Sequence, residues 1–179
     1  MKKRWLALGL ALSGWSSAWA ALDVGDRAPN FSIPAALGGQ VFTFSLQESL
    51  AKGPVVLYFF PLAFSEDCSI EAHQFAEATS KYQALGASVV GVSTDDIATL
   101  SKFSTQACQS RFPVASDETK KVVTSYDAVW GARPEWANRI SYVIAPNGSV
   151  VYNYVSLSPE RHVEKTLRAL KDWADAKKQ

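Results

Sequence analysis

The chain has 179 residues, of which 47% are hydrophobic and 12% aromatic, a composition that suits one compact domain with a sizeable apolar core. Its 18 Lys and Arg nearly balance its 17 Asp and Glu, whereas proteins that bind nucleic acid concentrate basic charge. After the N-terminal region, no apolar stretch approaches the length of a membrane-spanning helix. We therefore expect neither a nucleic-acid partner nor a stable association with a membrane.

The N-terminus has the pattern of an export signal. Three basic residues at positions 2–4 precede a short apolar run at 5–15, and a small-x-small site follows at 18–20. We predict a cleaved signal peptide over residues 1–20, a single domain over 21–179, and a periplasmic or secreted protein of net charge about −2. An uncleaved membrane anchor is the alternative, and the short apolar run disfavours it.

Strand-like and helix-like patterns alternate along the rest of the chain. Short β-branched or aromatic runs predict strands at residues 31–33, 41–44, 55–60, 87–93, 112–115, 140–145 and 149–155. Helical spacing predicts helices at residues 45–52, 65–85, 94–107, 117–126 and from Ser158 onward, with an irregular segment at 127–138. This order predicts an α/β domain in which helices cover both faces of a mixed central sheet.

The end residues of the helices carry further expectations. Thr94 or Asp95 is a candidate N-cap for the third long helix and Asp117 for the next. Pro159 suits the first position of the last helix, and the lysine-rich residues 177–179 are expected to fray. The last helix should bury one stripe, formed by Val163, Leu167, Leu170 and Trp173.

Cys68 lies where a predicted central strand gives way to a helix. The strand at 55–60 ends at Pro61, and Ser65 is a plausible N-cap for the helix that follows. Cys68 is then the third helical residue, close to unpaired backbone N–H groups and to the positive end of the helix dipole. Both features stabilise a thiolate, and open α/β sheets place their active sites at this kind of position.

Four roles for Cys68 can be weighed. A buried, inert cysteine is disfavoured by the polar neighbours Ser65, Glu66 and Asp67. A structural disulfide with Cys108, the other cysteine, remains open in an exported protein. A dithiol oxidoreductase normally carries a C-x-x-C motif, which this chain lacks. The fourth role is that of a single activated thiolate acting as a nucleophile.

A thiolate at this position requires a cation from elsewhere in the chain, because the carboxylates of Glu66 and Asp67 oppose it. Arg139, at the start of a predicted core strand, is the candidate, although an arginine at a strand end commonly lies on the surface. His73 is more than a helical turn from the cysteine, and we expect both His73 and His162 to be exposed. The two cysteines and two histidines lack zinc or copper spacing.

The sequence PLAFSEDC, from Pro61 to Cys68, resembles the P-x-x-x-[TS]-x-x-C motif of peroxiredoxins. The wider stretch VVLYFFPLAFSEDCSIEAHQF is similar to the peroxiredoxin Q or bacterioferritin-comigratory-protein branch of this family, which also includes alkyl hydroperoxide reductase C and thiol-specific antioxidant proteins. The resemblance extends to VGDRAPNFSIP, FPVASD and NRISYVIAPNGSVVY. It implies a thioredoxin-like fold and a cofactor-free thiol peroxidase that reduces hydrogen peroxide and organic hydroperoxides.

The resemblance also implies a role for each matching residue. Cys68 matches the peroxidatic cysteine, which attacks the peroxide and becomes a sulfenic acid. Ser65 takes the position of the motif's hydroxyl, which binds the peroxide, and Pro61 shields the thiolate from water. Arg139 matches the arginine that supports thiolate and peroxide, and Glu71 the carboxylate that positions this arginine.

Two departures from the family pattern matter. Ser65 replaces the usual threonine and keeps the hydroxyl without the methyl group that restricts its rotamer. Many members of the branch place a resolving cysteine five residues after the peroxidatic one, where this chain has His73. Others carry it in the helix that contains Cys108, which we therefore assign as the resolving cysteine in preference to a one-cysteine mechanism. A thioredoxin-like or other dithiol reductant would then reopen the Cys68–Cys108 disulfide.

Two other functions compete with this interpretation. One is a binding module of thioredoxin fold in which a Cys68–Cys108 disulfide is structural. The other is a copper or thiol-disulfide delivery protein, which the absence of C-x-x-C and of metal-ligand spacing disfavours. Members of the branch are commonly monomeric, so we expect a monomer or a weak dimer.

Overall fold

The computed structural model describes residues 21–177, so the predicted signal peptide and the last two residues lie outside the described part of the chain. The strands are β1 (Ser32–Leu37), β2 (Gln40–Ser45), β3 (Val55–Phe59), β4 (Ser88–Ser93), β5 (Val114–Ser116), β6 (Ile140–Ile144) and β7 (Val150–Val155). The helices are α1 (Leu46–Leu50), α2 (Glu66–Ala84), α3 (Ile97–Gln106), α4 (Lys121–Ser125) and α5 (His162–Ala176), with a 3-10 turn at Pro159–Arg161 before α5.

The strands form one mixed sheet in the order β2-β1-β5-β4-β3-β6-β7. Strands β3, β4 and β5 run parallel, and the remaining neighbours pair antiparallel. Every residue of β3 is fully buried, as the continuous apolar run of a central strand predicts. The predicted α/β class and mixed sheet are confirmed.

Two apolar layers cover the sheet because successive side chains of a strand point to opposite faces. On one face Val55, Leu57 and Phe59 pack with residues of α1 and α4. On the other face Val56 and Tyr58 pack with residues of α2, α3 and α5. The prediction that helices lie on both faces is therefore confirmed, and the second layer contains both cysteines.

Two predicted helix starts are wrong. The N-cap of α3 is Asp96, not Thr94 or Asp95, and its carboxylate accepts a hydrogen bond from the amide of Thr99 at 2.8 Å. Helix α4 starts at Lys121, four residues after the predicted cap. Asp117 still accepts hydrogen bonds from amides in α4, so its carboxylate caps the helix across an intervening turn.

The last helix also differs from its predicted form. Pro159 opens a 3-10 turn, and α5 follows from His162. The fully buried positions are His162, Thr166 and Leu170, each four residues after the one before. The expectation that His162 is exposed is therefore wrong. Of the predicted apolar stripe, only Leu170 is fully buried, while Val163, Leu167 and Trp173 are partly buried against the core.

Within residues 21–177, no helix combines the length and apolar character that crossing a bilayer requires.

Candidate active site

The candidate site lies at the edge of the sheet where the parallel strands β3 and β4 end. The chain leaves β3 after Phe59 and reaches α2 through residues 60–65. Strand β6 runs antiparallel to β3, and Ile140 pairs with Phe59. This register places Arg139 at the point where the chain turns from β3 toward Cys68, although the two residues are 71 positions apart.

Cys68 occupies the first turn of α2, as predicted. The Ser65 hydroxyl accepts a hydrogen bond from the amide of Cys68 at 3.4 Å and donates one to the carbonyl of Leu62 at 3.0 Å. Ser65 is thus the N-cap of α2 and fixes how this cysteine enters the helix. Glu66 and Asp67 point to solvent.

Cys68 is buried, so the expectation drawn from its polar neighbours is wrong. Cys68 is only 1% exposed and belongs to the apolar cluster that also contains Ala63 and Ala72. The reason is helical geometry, since neighbouring residues in a helix point in different directions and the first turn of α2 presents its carboxylates outward. Ile70, an apolar residue of the same helix, is by contrast 42% exposed.

Arg139 is the cation beside the sulfur. Its Nη2 donates a hydrogen bond to Sγ of Cys68 at 3.3 Å, its Nη1 donates to Oε2 of Glu71, and its Nε donates to the carbonyl of Leu157 at 2.9 Å. Arg139 is only 3% exposed, so it is not a surface arginine. Burial acts to lower its pKa, but the charges of Glu71 and Cys68 outweigh this effect and raise it.

Glu71 lies three residues after Cys68 and on the same side of α2, where it is fully buried. Burial raises the pKa of Glu71 to about 8, and the charge of Arg139 and its hydrogen bond oppose the rise. Its Oε2 meets Arg139, while its Oε1 lies 3.6 Å from Nδ1 of His162.

His162 contacts this site from α5 and is fully buried, contrary to expectation. Its Nε2 lies 2.9 Å from the carbonyl oxygen of Ser156, and its Nδ1 lies 2.8 Å from Oγ of Ser141. Burial lowers the pKa of His162 to about 4, so the neutral ring is favoured. The spacing of four residues from His162 to Thr166 and Leu170 was the signal that could have identified a buried position.

The loop that holds Pro61 is attached to the end of β4. Pro61 is buried, and the amide of Ala63 donates to Oδ2 of Asp95 at 2.8 Å. The same carboxylate accepts from the Ser93 hydroxyl. Phe64, with a φ of 65°, adopts the left-handed conformation that few side chains tolerate. Asp95 is therefore not the cap of α3, and its carboxylate instead holds the loop that contains Pro61.

Cys108 lies two residues beyond the end of α3, where it is a fully buried free thiol, as is Cys68. Burial raises the pKa of Cys108, which disfavours its thiolate. The next two residues, Gln109 and Ser110, have φ values of 51° and 55°. A cysteine followed by two residues in the left-handed region is joined to a strained turn rather than to a regular helix.

An open groove lies between α2 and the end of α3. It is lined in part by Phe64 and Ile70, which are 45% and 42% exposed, and by His73 and Ala107. His73 is exposed as predicted, and its Nδ1 contacts Nε2 of Gln109 at 2.7 Å. Among residues 21–177, no three His, Cys, Asp or Glu side chains are grouped in a way that could hold a metal ion.

Proteins of known family resemble this chain in sequence. Residues 24–153 match the model of the AhpC/TSA family. Peroxiredoxin Q of Oryza sativa subsp. japonica, a chloroplastic protein, is 33% identical over 150 residues, which are 82% of this chain and 65% of that protein. Peroxiredoxin Bcp of Escherichia coli K12 is 29% identical over 159 residues, which are 86% of this chain and 98% of that protein.

A solved structure also resembles this chain in fold. The crystal structure of the peroxidoxin BcpB from Mycobacterium tuberculosis superposes with a TM-score of 0.75 at 28% identity, over 83% of this chain and 96% of that one. The predicted thioredoxin-like fold is thereby confirmed. The chain spans about two thirds of the length of its chloroplastic relatives and nearly all of the bacterial ones. Its sequence and fold both place it in the AhpC/TSA family, among the peroxiredoxins of the Q and Bcp type.

Proposed function

We propose that this protein is an exported thiol peroxidase that reduces hydrogen peroxide and organic hydroperoxides through Cys68. The observation that carries the proposal is the hydrogen bond from Nη2 of Arg139 to Sγ of Cys68, at 3.3 Å, within the capped first turn of α2. A positive charge and a helix N-terminus both favour the thiolate, which is the nucleophilic form of cysteine.

The reaction follows from this arrangement. The thiolate of Cys68 attacks one peroxide oxygen, an S–O bond forms as the O–O bond breaks, and the sulfur becomes a sulfenic acid. The departing hydroxide or alkoxide takes a proton and leaves as water or alcohol. Arg139 is a donor to the charge that develops on oxygen, and the Ser65 hydroxyl becomes a second donor when it turns from the carbonyl of Leu62 toward the peroxide. The buried Pro61 limits the access of water.

Cys108 is proposed as the resolving cysteine. Its thiol attacks the sulfenic sulfur of Cys68, an S–S bond forms and water leaves. Both cysteines are buried, and a disulfide holds its two Cα atoms within about 7 Å. We therefore expect the strained turn at Gln109 and Ser110 and the first turn of α2 to rearrange as the bond forms. A thioredoxin-like or other dithiol reductant then reduces the disulfide, and the enzyme works as a monomer or weak dimer.

Stopped-flow measurement of peroxide consumption by the reduced protein tests the main proposal. We expect Cys68 to react with hydrogen peroxide much faster than a free thiol does, and Cys68→Ser to abolish the reaction. Tryptophan fluorescence can report the oxidation of Cys68. The variant Cys108→Ser should still undergo this first oxidation step. A wild-type rate no higher than that of a free thiol would instead support the competing binding module with a structural disulfide.

The resolving role of Cys108 has a separate test. With a dithiol reductant, Cys108→Ser should react once with peroxide and then lose steady-state turnover, because its sulfenic acid has no partner thiol. Dimedone labelling of Cys68 in the stalled protein would identify the sulfenic acid. Unchanged turnover in Cys108→Ser would instead establish a one-cysteine mechanism.

Export is proposed from the sequence of the first twenty residues. The basic segment, the short apolar run and the small-x-small site support cleavage before Ala21. Expression of the full chain in a Gram-negative host, followed by osmotic-shock fractionation and intact-mass measurement, should give a periplasmic protein that begins at Ala21. Recovery of the uncleaved chain in the membrane fraction would establish the alternative, an N-terminal anchor.

A further inference from the structure

One carboxylate oxygen of Glu71, Oε1, is buried and has no hydrogen-bond partner among residues 21–177. Buried polar atoms are nearly always hydrogen-bonded. Oε1 faces Nδ1 of His162 at 3.6 Å. The other oxygen, Oε2, is occupied by Nη1 of Arg139.

The tautomer of His162 determines what Nδ1 can do. Nε2 lies 2.9 Å from the carbonyl oxygen of Ser156, and since a carbonyl only accepts, Nε2 carries the proton of the neutral ring. Nδ1 is then an acceptor with a single lone pair, to which the Ser141 hydroxyl donates from 2.8 Å. A proton on Oε1 of Glu71 could be donated to this lone pair only if the Ser141 hydroxyl turned away and the 3.6 Å gap closed slightly. An ionised Glu71 would point its negative Oε1 at this lone pair, whereas a protonated Oε1 would point a donor at it.

The charges around Glu71 lead to the same result. Arg139 is the cation that faces Glu71, and it also contacts Cys68. If Cys68 and Glu71 were both ionised, two anions would share one guanidinium at a site that is 0–3% exposed. Such a buried excess of charge is costly. One proton on either anion makes the group neutral.

Among residues 21–177, the other titratable groups near Glu71 do not supply a second cation. Asp67 on the same helix and Tyr58 and Tyr82 around it are neutral or negative, and His162 on α5 is favoured as the neutral ring. Burial, which raises the pKa of Glu71 to about 8, is consistent with a carboxyl group that can hold a proton near neutral pH.

We propose that Cys68 and Glu71 share one proton, which resides on Oε1 of Glu71, directed at Nδ1 of His162, whenever Cys68 is a thiolate. In the alternative state the proton is on Sγ and Glu71 is ionised. The two states differ only in the position of the proton, and each leaves Arg139 balanced by one anion. His162 is then a positioning residue that makes the protonated carboxyl group favourable. This inference rests on the proposed function, because the thiolate concerned is the one that attacks peroxide.

Infrared spectroscopy of the folded wild-type protein tests the shared proton without a mutation. At neutral pH the reduced protein should show a C=O stretching band from a buried, protonated carboxyl group. Capping Cys68 with methyl methanethiosulfonate removes the negative charge on sulfur and leaves a small neutral group, so Glu71 should ionise at a lower pH and the band should weaken. A spectrum that lacks a protonated-carboxyl band where ultraviolet absorbance shows the Cys68 thiolate, or a band that capping leaves unchanged, would overturn the proposal.

Two variants test whether the infrared band comes from Glu71 and depends on His162. Both are made in a Cys108→Ser background, in which Cys68 is the only thiol. Glu71→Gln resembles the protonated state, because its amide oxygen can accept from Arg139 and its amide N–H can donate to His162. The infrared band should be absent, and the ultraviolet absorbance of the Cys68 thiolate should persist to a pH about one unit lower than in the parent, a change of about tenfold in thiolate population. A shift of thiolate formation to higher pH would show that Glu71 acts only in its ionised form.

His162→Leu removes the acceptor, so the infrared band should weaken and the thiolate population at neutral pH should fall. His73→Leu, an exposed histidine on α2, is the matched control and should change neither reading. If His162→Leu fails to fold, the capping experiment still decides the matter. None of these readings uses peroxide, so slow peroxide consumption by the wild-type protein would contradict the proposed function and leave the proton assignment standing.

Discussion

Replacement of Arg139 by methionine should sharply lower the thiolate population of Cys68. Methionine keeps a long unbranched chain and removes the guanidinium. Sγ then loses a donor at 3.3 Å, and Glu71 and the carbonyl of Leu157 lose theirs. Removing a positive charge beside a sulfur disfavours its anionic form, so the pH at which half of Cys68 is thiolate moves upward.

The distance sets the size of the effect. Two unit charges at 3.3 Å interact by about 5 kcal/mol at an effective dielectric constant of about 20. Glu71 shares the same guanidinium and the N-terminus of α2 remains, so about half of this value, roughly 2–3 kcal/mol, is expected as the loss. At 1.36 kcal/mol for each tenfold change, the thiolate population at neutral pH should fall by about a hundredfold.

The assay is the rate at which iodoacetamide alkylates Cys68 as a function of pH, in a Cys108→Ser background. Arg139→Lys is the control that keeps the charge and loses the fork of donors, so its profile should shift by a smaller amount. Loss of the arginine also leaves Glu71 unpaired and costs roughly 3–5 kcal/mol of stability, so guanidinium unfolding must be measured under the same conditions. An unchanged pH–rate profile in folded Arg139→Met would show that the guanidinium does not stabilise the Cys68 thiolate.

Three further changes test the site and its surroundings. Ser65→Ala removes the cap of α2 and should cost about 1 kcal/mol of unfolding free energy and slow peroxide reduction, whereas Ser65→Thr should preserve both. Tyr58→Phe removes a buried hydroxyl that lacks a hydrogen-bond partner among the described residues and should raise the unfolding free energy by roughly 1 kcal/mol. A fall in the unfolding free energy would instead show that the hydroxyl is hydrogen-bonded. The pKa of His162 is lowered from 6.5 to about 4, so the unfolded state binds its proton first, and stability should fall by up to about 3 kcal/mol between pH 6.5 and 4. Denaturant unfolding at each pH measures this fall, and the unfolding free energy of His162→Gln should fall by less than that of the wild-type protein over the same range.

Local patterns were sufficient to predict the order of elements and the position of Cys68. The central strand β3 could be predicted because its residues are all apolar. The start of α2 could be predicted because serine is favoured at helix N-caps, the position that Ser65 occupies. Both signals are contained in about ten consecutive residues. The start of α4 could not be predicted in the same way. Lys120 adopts a left-handed conformation, with a φ of 57°, just before the helix begins. The presence of the capping residue Asp117 three positions earlier gives no sign of this intervening turn.

The surroundings of the sulfur depend on pairings that no local pattern encodes. Arg139 reaches Cys68 because β6 aligns Ile140 with Phe59, and that register is a property of the whole sheet. His162 was assigned to the surface because polar side chains on amphipathic helices are mostly exposed. Its burial depends on the partners Ser141 and Ser156, which lie on other segments of the chain.

The charge that most opposes the thiolate is not the one that the sequence indicated. Glu66 and Asp67 adjoin Cys68 in the chain, but they lie in solvent, where water and salt screen them. Glu71 is buried and held by the same guanidinium as Cys68, so its charge acts through a medium of low dielectric constant. Substitution of Glu66 or Asp67 by the corresponding amide should therefore change the alkylation profile of Cys68 less than Glu71→Gln does. Equal effects from the exposed and the buried carboxylates would contradict this ranking, because screening would then play no part at the site.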